Sequence, residues 1–184
     1  MSSELQKDEK ALSILSTHAV NFLYLYHRGI KNEEGFNIEK FFEIAHSQYS
    51  KENDLHTRLH IYLYTHCIIG ETMFYSREVP LEKKRLYTKM LRELEEIIAR
   101  KYFTITLDNK LEFLVCCRVV EYETFLEEVI YSETSVSLSK EGDFLIDRYN
   151  TKKDGEIVSF ERSEHRNALF LMSHRKFMPQ KRGM

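Results

Sequence analysis

From Leu55 to Arg77 the chain reads Leu-His-Thr-Arg-Leu-His-Ile-Tyr-Leu-Tyr-Thr-His-Cys-Ile-Ile-Gly-Glu-Thr-Met-Phe-Tyr-Ser-Arg, and its apolar positions fall on nearly every side of a helix. At about 100° per residue, Leu59, Leu63, His66, Gly70 and Met73 form one stripe, with Ile61, Ile68 and Tyr75 opposite. A helix that is apolar nearly all round is buried on most sides. Between Arg58 and Glu71 only twelve residues lack a formal charge. A membrane span needs about 20, so this stretch predicts a central core helix of a soluble domain. Asn53 or Asp54 caps it, and Val79-Pro80 marks its expected end.

The other elements follow from the same periodicity. Lys10 to Arg28 predicts helix one, with Ala11, Leu15, His18, Phe22, Leu25 and Tyr26 as its inner face and Gly29 as its terminator. Asn37 is placed to cap a second helix through Ile38, Phe41, Phe42, Ala45 and Tyr49. Leu81 to Lys101 is amphipathic through Leu86, Met90, Leu94, Ile97 and Ile98. Thr106 or Asp108 caps a fifth helix through Leu111, Leu114, Val115 and Val119. Glu123 to Ser132 forms a sixth through Phe125, Leu126, Val129 and Ile130.

Then the period changes. Ser135-Val-Ser-Leu-Ser139 alternates strictly, Lys140 to Asp143 reads as a turn, Phe144 to Tyr149 as a returning strand and Ile157 to Phe160 as a third. Ser163 is placed to cap a last helix with Ala168, Leu169, Leu171 and Met172 inward. The expected fold is therefore mainly α, about seven helices in stacked antiparallel hairpins, with a small β-meander before the C-terminal helix. Residues 1–9 are expected to be a flexible N-terminus. Residues 10–178 read as one domain with the β appendage at about 135–160, and residues 179–184 as a basic tail. Leu15-Ser-Thr-His-Ala-Val20 also matches Leu63-Tyr-Thr-His-Cys-Ile68, 48 residues on, as a worn repeat with His18 and His66 in equivalent core positions.

Composition narrows the function. A hydrophobic content of 42% excludes disorder over most of the chain, and a net charge of -2 gives no general attraction to nucleic acid or anionic membrane. The charge is uneven, however. Residues 121–133 hold five Glu and no base, while residues 161–184 hold six Lys/Arg and two Glu. The acidic stretch is expected to face the basic end either within one molecule or across a dimer, and in the second case salt weakens the association. Three cysteines in apolar helical segments, and no signal-peptide run at the start, fit a reducing cytoplasm.

The candidate chemistry is sparse. His66 on the apolar stripe is a buried imidazole, and with His18 or Glu71 it makes a candidate acid/base centre between helices. His56 and His60, spaced i,i+4, are candidate ligands for a divalent metal, although this helix supplies only two of the ligands required. Gly70 in mid-helix predicts close approach of another helix or a ligand, with helix packing the favoured cause. Asn150 to Glu161 overlaps a calcium-loop pattern but places Lys152 where an oxygen ligand belongs. No phosphate-binding Gly-rich loop, nucleophile elbow or Cys-x-x-Cys pair occurs. The leading expectation is a cytoplasmic helical interaction or regulatory protein with a protein partner or itself as target. The alternative is a small His-centred enzyme, with or without metal.

Overall fold

A computed structural model describes residues 7–33, 38–50, 52–139, 142–147 and 159–174. Within these, eight α-helices occur: α1 (Glu9–Leu15), α2 (Thr17–Tyr24), α3 (Glu39–Gln48), α4 (Asp54–Glu71), α5 (Leu81–Arg100), α6 (Leu107–Val120), α7 (Glu127–Val136) and α8 (Phe160–Ser173). A π-helical segment, Leu25–Lys31, extends α2, and a 3-10 turn, Tyr102–Thr104, follows α5. None of the described helices is long and apolar enough to cross a membrane. The described residues through Leu94 form one compact unit and those from Glu95 onward a second, with α5 divided between them.

In the first unit, α2 and α3 both pack against α4, and α1 packs against α3. Asn53 caps α4 as expected, its Oδ1 accepting from the Leu55 and His56 amides at 2.9 and 3.2 Å. Eleven residues of α4 are buried, among them His60, Ile61, Leu63, Tyr64, Cys67, Ile68 and Gly70. The helix stops at Glu71, not at Val79-Pro80. Met73, Phe74 and Tyr75 follow with φ of 47°, 55° and 67°, a short left-handed turn.

Helix one differs most from its expected form. Ser16, at φ 43°, breaks it into α1 and α2, and Asp8 caps α1 through the Ala11 amide at 2.9 Å. Gly29 does not terminate it; the chain widens to π geometry through Gly29 and turns left-handed at Asn32, φ 55°. The buried residues are Leu12, Ala19, Val20, Leu23 and Tyr24, whereas Leu15, His18, Phe22 and Leu25 are exposed. Four of the six residues of the expected inner face are thus exposed, with Ala11 and Tyr26 half-buried. His18 and His66 are not equivalent core positions, since His18 is exposed and His66 half-buried.

In the second unit α6 is the buried axis and packs against α7 and α8. Thr106 caps it through the Asn109 amide, and the Leu107 amide donates to Asp147 Oδ2 at 3.0 Å. Lys110 is fully buried, with Nζ 2.8 Å from Glu133 Oε2 and 4.0 Å from the centre of the Tyr102 ring. Glu95 Oε2 accepts from the Tyr122 hydroxyl at 2.6 Å, and its Oε1 from the Phe125 amide at 3.0 Å and from the Thr124 hydroxyl.

The β-meander does not form among the described residues. Ser135 and Val136 complete α7, where the Thr134 and Ser135 hydroxyls bond carbonyls one turn back. All that remains of the pairing is one isolated antiparallel bridge, Leu138 to Leu145, around the turn at Gly142. Helix bonding of the first half of the alternating stretch leaves too few free backbone groups for a ladder. Of the third expected strand, residues 157 and 158 lie outside the described residues and Phe160 begins α8; Ser163 lies inside α8, bonded to Ser159 and Phe160 carbonyls. The Asn37 cap, most of the calcium-like loop and the basic tail lie outside the described residues.

Candidate functional site

Gly70 decides the geometry of the first unit. A Cβ built there would lie 2.1 Å from Tyr24 Cδ2, so only glycine lets the Tyr24 ring rest on the α4 backbone. The seated ring delivers its hydroxyl to the next residue, Glu71, whose Oε2 accepts from Tyr24 at 3.0 Å, Tyr87 at 2.7 Å and Lys83 Nζ at 2.9 Å. Arg28, from the π-helical segment, donates to the Glu71 carbonyl at 2.7 Å and closes on Oε1. The Glu71 side chain is wholly buried.

Burial alone would raise the Glu71 carboxyl, but the Tyr87 and Lys83 hydrogen bonds and the Lys83 and Arg28 charges outweigh it and hold the group below its ordinary value. Burial, followed by nearby Cys67 and Glu71 for Tyr24, and by Tyr24 and Glu71 for Tyr87, pushes both hydroxyls well up. They remain proton donors at neutral pH. Glu71 is therefore an ionised carboxylate saturated by four side chains, a hub joining α2, the π-helical segment, α4 and α5. It is not poised to accept a substrate proton.

His66 occupies a neighbouring tether. Its Nδ1 is 3.0 Å from Asn21 Oδ1, which assigns the Nδ1 proton to a bond with α2. The structure thus puts His66 on Asn21, Glu71 on Arg28 and Lys83, and His18 on the exposed side of α2. The His56/His60 pair also diverges. His56 Nδ1 accepts from the Ser50 amide at 3.0 Å. His60, buried, faces Glu93, with Nε2 3.7 Å from Oε1; the other oxygen, Oε2, lies 3.1 Å from His46 Nε2 and 3.3 Å from the Tyr64 hydroxyl. Among the described residues no group of three or more His, Cys, Asp or Glu is arranged to hold a metal ion.

Sequence reasoning missed Arg28, Lys83, Tyr24, Tyr87, His46 and Glu93. The one available signal was Gly70, which announced a close neighbour without naming it.

What the hub does is fix one side of α2 and leave the other in solvent. Phe22 is 36% exposed, and in the π-helical segment Leu25 is 47% and Ile30 74% exposed. Phe22 stacks on Tyr26 at 5.8 Å, and Phe22, Leu25 and Ile30 follow one another at the spacing of one face as α2 widens to π geometry. His18 and Gly29 are exposed as well, and Lys31 lies over the Tyr26 ring, 5.9 Å from its centre. Searched against known protein families, curated proteins and solved structures, the chain matches none of them.

Proposed function

We propose that this chain is a helical interaction protein whose binding element is the outer face of α2 and the π-helical segment. The observation that supports it is the inversion of helix one: Phe22, Leu25 and Ile30 are exposed, while a tyrosine and a salt-bridged carboxylate occupy the interior. Exposed apolar residues in a contiguous group mark interaction surfaces. π-helical geometry, rare and concentrated at functional sites, points to the same segment. The hub keeps that face rigid, which lowers the entropy lost on binding.

The acid/base alternative would require Glu71 or His66 to be released from its present partners. A divalent metal at His56 and His60 would require both rings to turn toward one point, away from Ser50 and Glu93.

The reading is tested by placing a photoreactive benzophenone side chain at Leu25 in the producing cells, with exposed Glu43 on α3 as control. Discrete covalent adducts at Leu25 and not at Glu43 are the expected result. Absence of adducts, or equal labelling at both positions, would refute it.

A further inference from the structure

We infer that His46 is a proton-operated clasp: charged, its imidazole ties the last turn of α3 to Glu93 of α5, and neutral, it lets the two helices part. The two ring nitrogens meet two different oxygens. Nδ1 lies 2.8 Å from the Phe42 carbonyl, and Nε2 lies 3.1 Å from Glu93 Oε2. A carbonyl and an ionised carboxylate only accept, so each nitrogen needs a proton of its own, whereas a neutral imidazole carries one. A proton placed on Glu93 instead gives the same count. Either way the contact holds one proton more than a neutral imidazole and a carboxylate held apart.

The place of His46 in the helix favours the same state. It stands in the last turn of α3, where the unbonded carbonyls form the negative pole of the helix and attract a cation. The His46 side chain is 44% exposed, so solvent protons reach it, while Glu93 is 15% exposed.

The surrounding groups come from four helices. From α4, His60 Nε2 is 3.7 Å from Glu93 Oε1, and the Tyr64 hydroxyl donates to Oε2 at 3.3 Å. Burial first, then Glu93 and Cys67, push the Tyr64 hydroxyl far up, so it stays a donor and leaves Glu93 the acceptor. The His60 ring is 6.4 Å from that of His46 and 6.0 Å from that of Tyr49, behind which His56 lies at 5.8 Å. From α5, Lys89 Nζ lies 4.3 Å from the centre of the Phe42 ring. Glu43, one turn back on α3, is exposed, and toward α1 Lys40 pairs with Glu9 at 3.7 Å. Lys89 opposes a positive His46, and Glu93, at contact distance, favours it.

The clasp is therefore complete below the unfolded histidine value of about 6.5 and is lost as pH rises above it. Its release loosens a helix whose buried side is Phe41, Ile44 and Ala45. Glu71 responds only to acid, below about 4.3, so the two transitions stay apart.

The experiment is native-state hydrogen exchange of the whole purified chain at pH about 5.5 and about 7.5, on either side of the histidine value. It is read as protection factors of the α3 amides, in which the intrinsic pH dependence of exchange cancels. The wild-type chain is expected to lose about threefold or more of its α3 protection at the higher pH. His46→Gln, with no proton to lose, shows no such fall, and Glu93→Gln, whose amide can donate to a neutral imidazole, reduces it. Nitrogen-15 spectra of the wild-type histidine rings show both His46 nitrogens protonated at pH about 5.5 and the proton lost in step with α3 protection.

Equal α3 protection at both pH values in the wild-type chain, or a fall that His46→Gln leaves in place, would overturn the inference. So would a His46 ring already neutral at the lower pH, a result that needs no variant.

Discussion

Replacement of Gly70 by alanine isolates the contact on which the first unit is built. In an unencumbered helix the change stabilises by about 1 kcal/mol, because glycine is the poorer helix former. Here the new methyl would sit 2.1 Å from Tyr24 Cδ2 and 2.6 Å from its Cγ, atoms of a rigid ring and not the tip of a flexible chain. The ring is 2% exposed and has no open side into which to withdraw. Forced repacking of this kind costs about 1–3 kcal/mol. Loss of the Tyr24 hydroxyl bond to a buried carboxylate adds about 1.5–3 kcal/mol.

The net expectation for Gly70→Ala is destabilisation by about 1.5–5 kcal/mol after subtracting the helix gain. In a Tyr24→Ala background the obstacle is gone, so the same substitution becomes neutral or stabilising by up to about 1 kcal/mol. Urea denaturation of the four proteins, followed by circular dichroism and analysed as a double-mutant cycle, measures both numbers. Equal effects of Gly70→Ala in the two backgrounds, or stabilisation of the wild-type chain, would refute the seating of Tyr24 on Gly70.

Two further outcomes test the buried ion pairs. Because the Glu71 carboxyl is held below its unfolded value, its contribution is complete above the unfolded pKa of about 4.3 and is lost as pH falls through the lower folded value. Glu71→Gln therefore costs about 3–5 kcal/mol at neutral pH, leaving Arg28 and Lys83 uncompensated, and flattens the fall in stability on acidification; an unchanged acid profile in denaturant titrations contradicts this. In the second unit Lys110→Met leaves Glu133 buried without its counter-charge and costs about 3–5 kcal/mol, while Lys110→Met with Glu133→Leu recovers most of the loss. Additive losses in thermal melts would show that the two side chains do not act as a pair.

How far the fold could be read in advance depended on whether the deciding partner was local. Asn53 caps α4 through amides two and three residues away, and its helix boundary was legible. The all-round burial of α4 followed equally from its unbroken apolar run. Helix one carries two apolar stripes, Leu12, Val20 and Leu23 on one side and Leu15, Phe22 and Leu25 on the other. Periodicity alone gives no sign of which meets the core; packing of α2 against α4 decides it.

The hub was invisible for the same reason. Tyr24, Arg28, Lys83 and Tyr87 lie 47, 43, 12 and 16 residues from Glu71, so no spacing rule joins them. The alternation at Ser135 to Ser139 misled because a five-residue pattern of period two is also compatible with the last turn of a helix. Glu133 belongs to the acidic stretch 121–133, yet its distant partner Lys110 turns it inward, and Glu95 is likewise buried by Tyr122 and Phe125.

The left-handed turn after α4 changes how the two ends of that helix come apart. Three consecutive residues with side chains, Met73, Phe74 and Tyr75, each hold a conformation that costs about 1–2 kcal/mol. Their bonds run back to the helix end they follow: Phe74 to the Ile69 carbonyl at 2.8 Å, Tyr75 to Thr72 Oγ1 at 3.2 Å, and Ser76 and Arg77 to the Thr72 carbonyl at 2.9 Å. Opening the turn relieves that strain while leaving the hub intact, so its amides exchange with solvent through small local fluctuations. The amides of Ile68 to Glu71, locked beneath Tyr24, exchange only when the unit opens as a whole. The boundary between the two exchange regimes falls at Thr72, between a residue saturated with partners and a backbone held against its own preference.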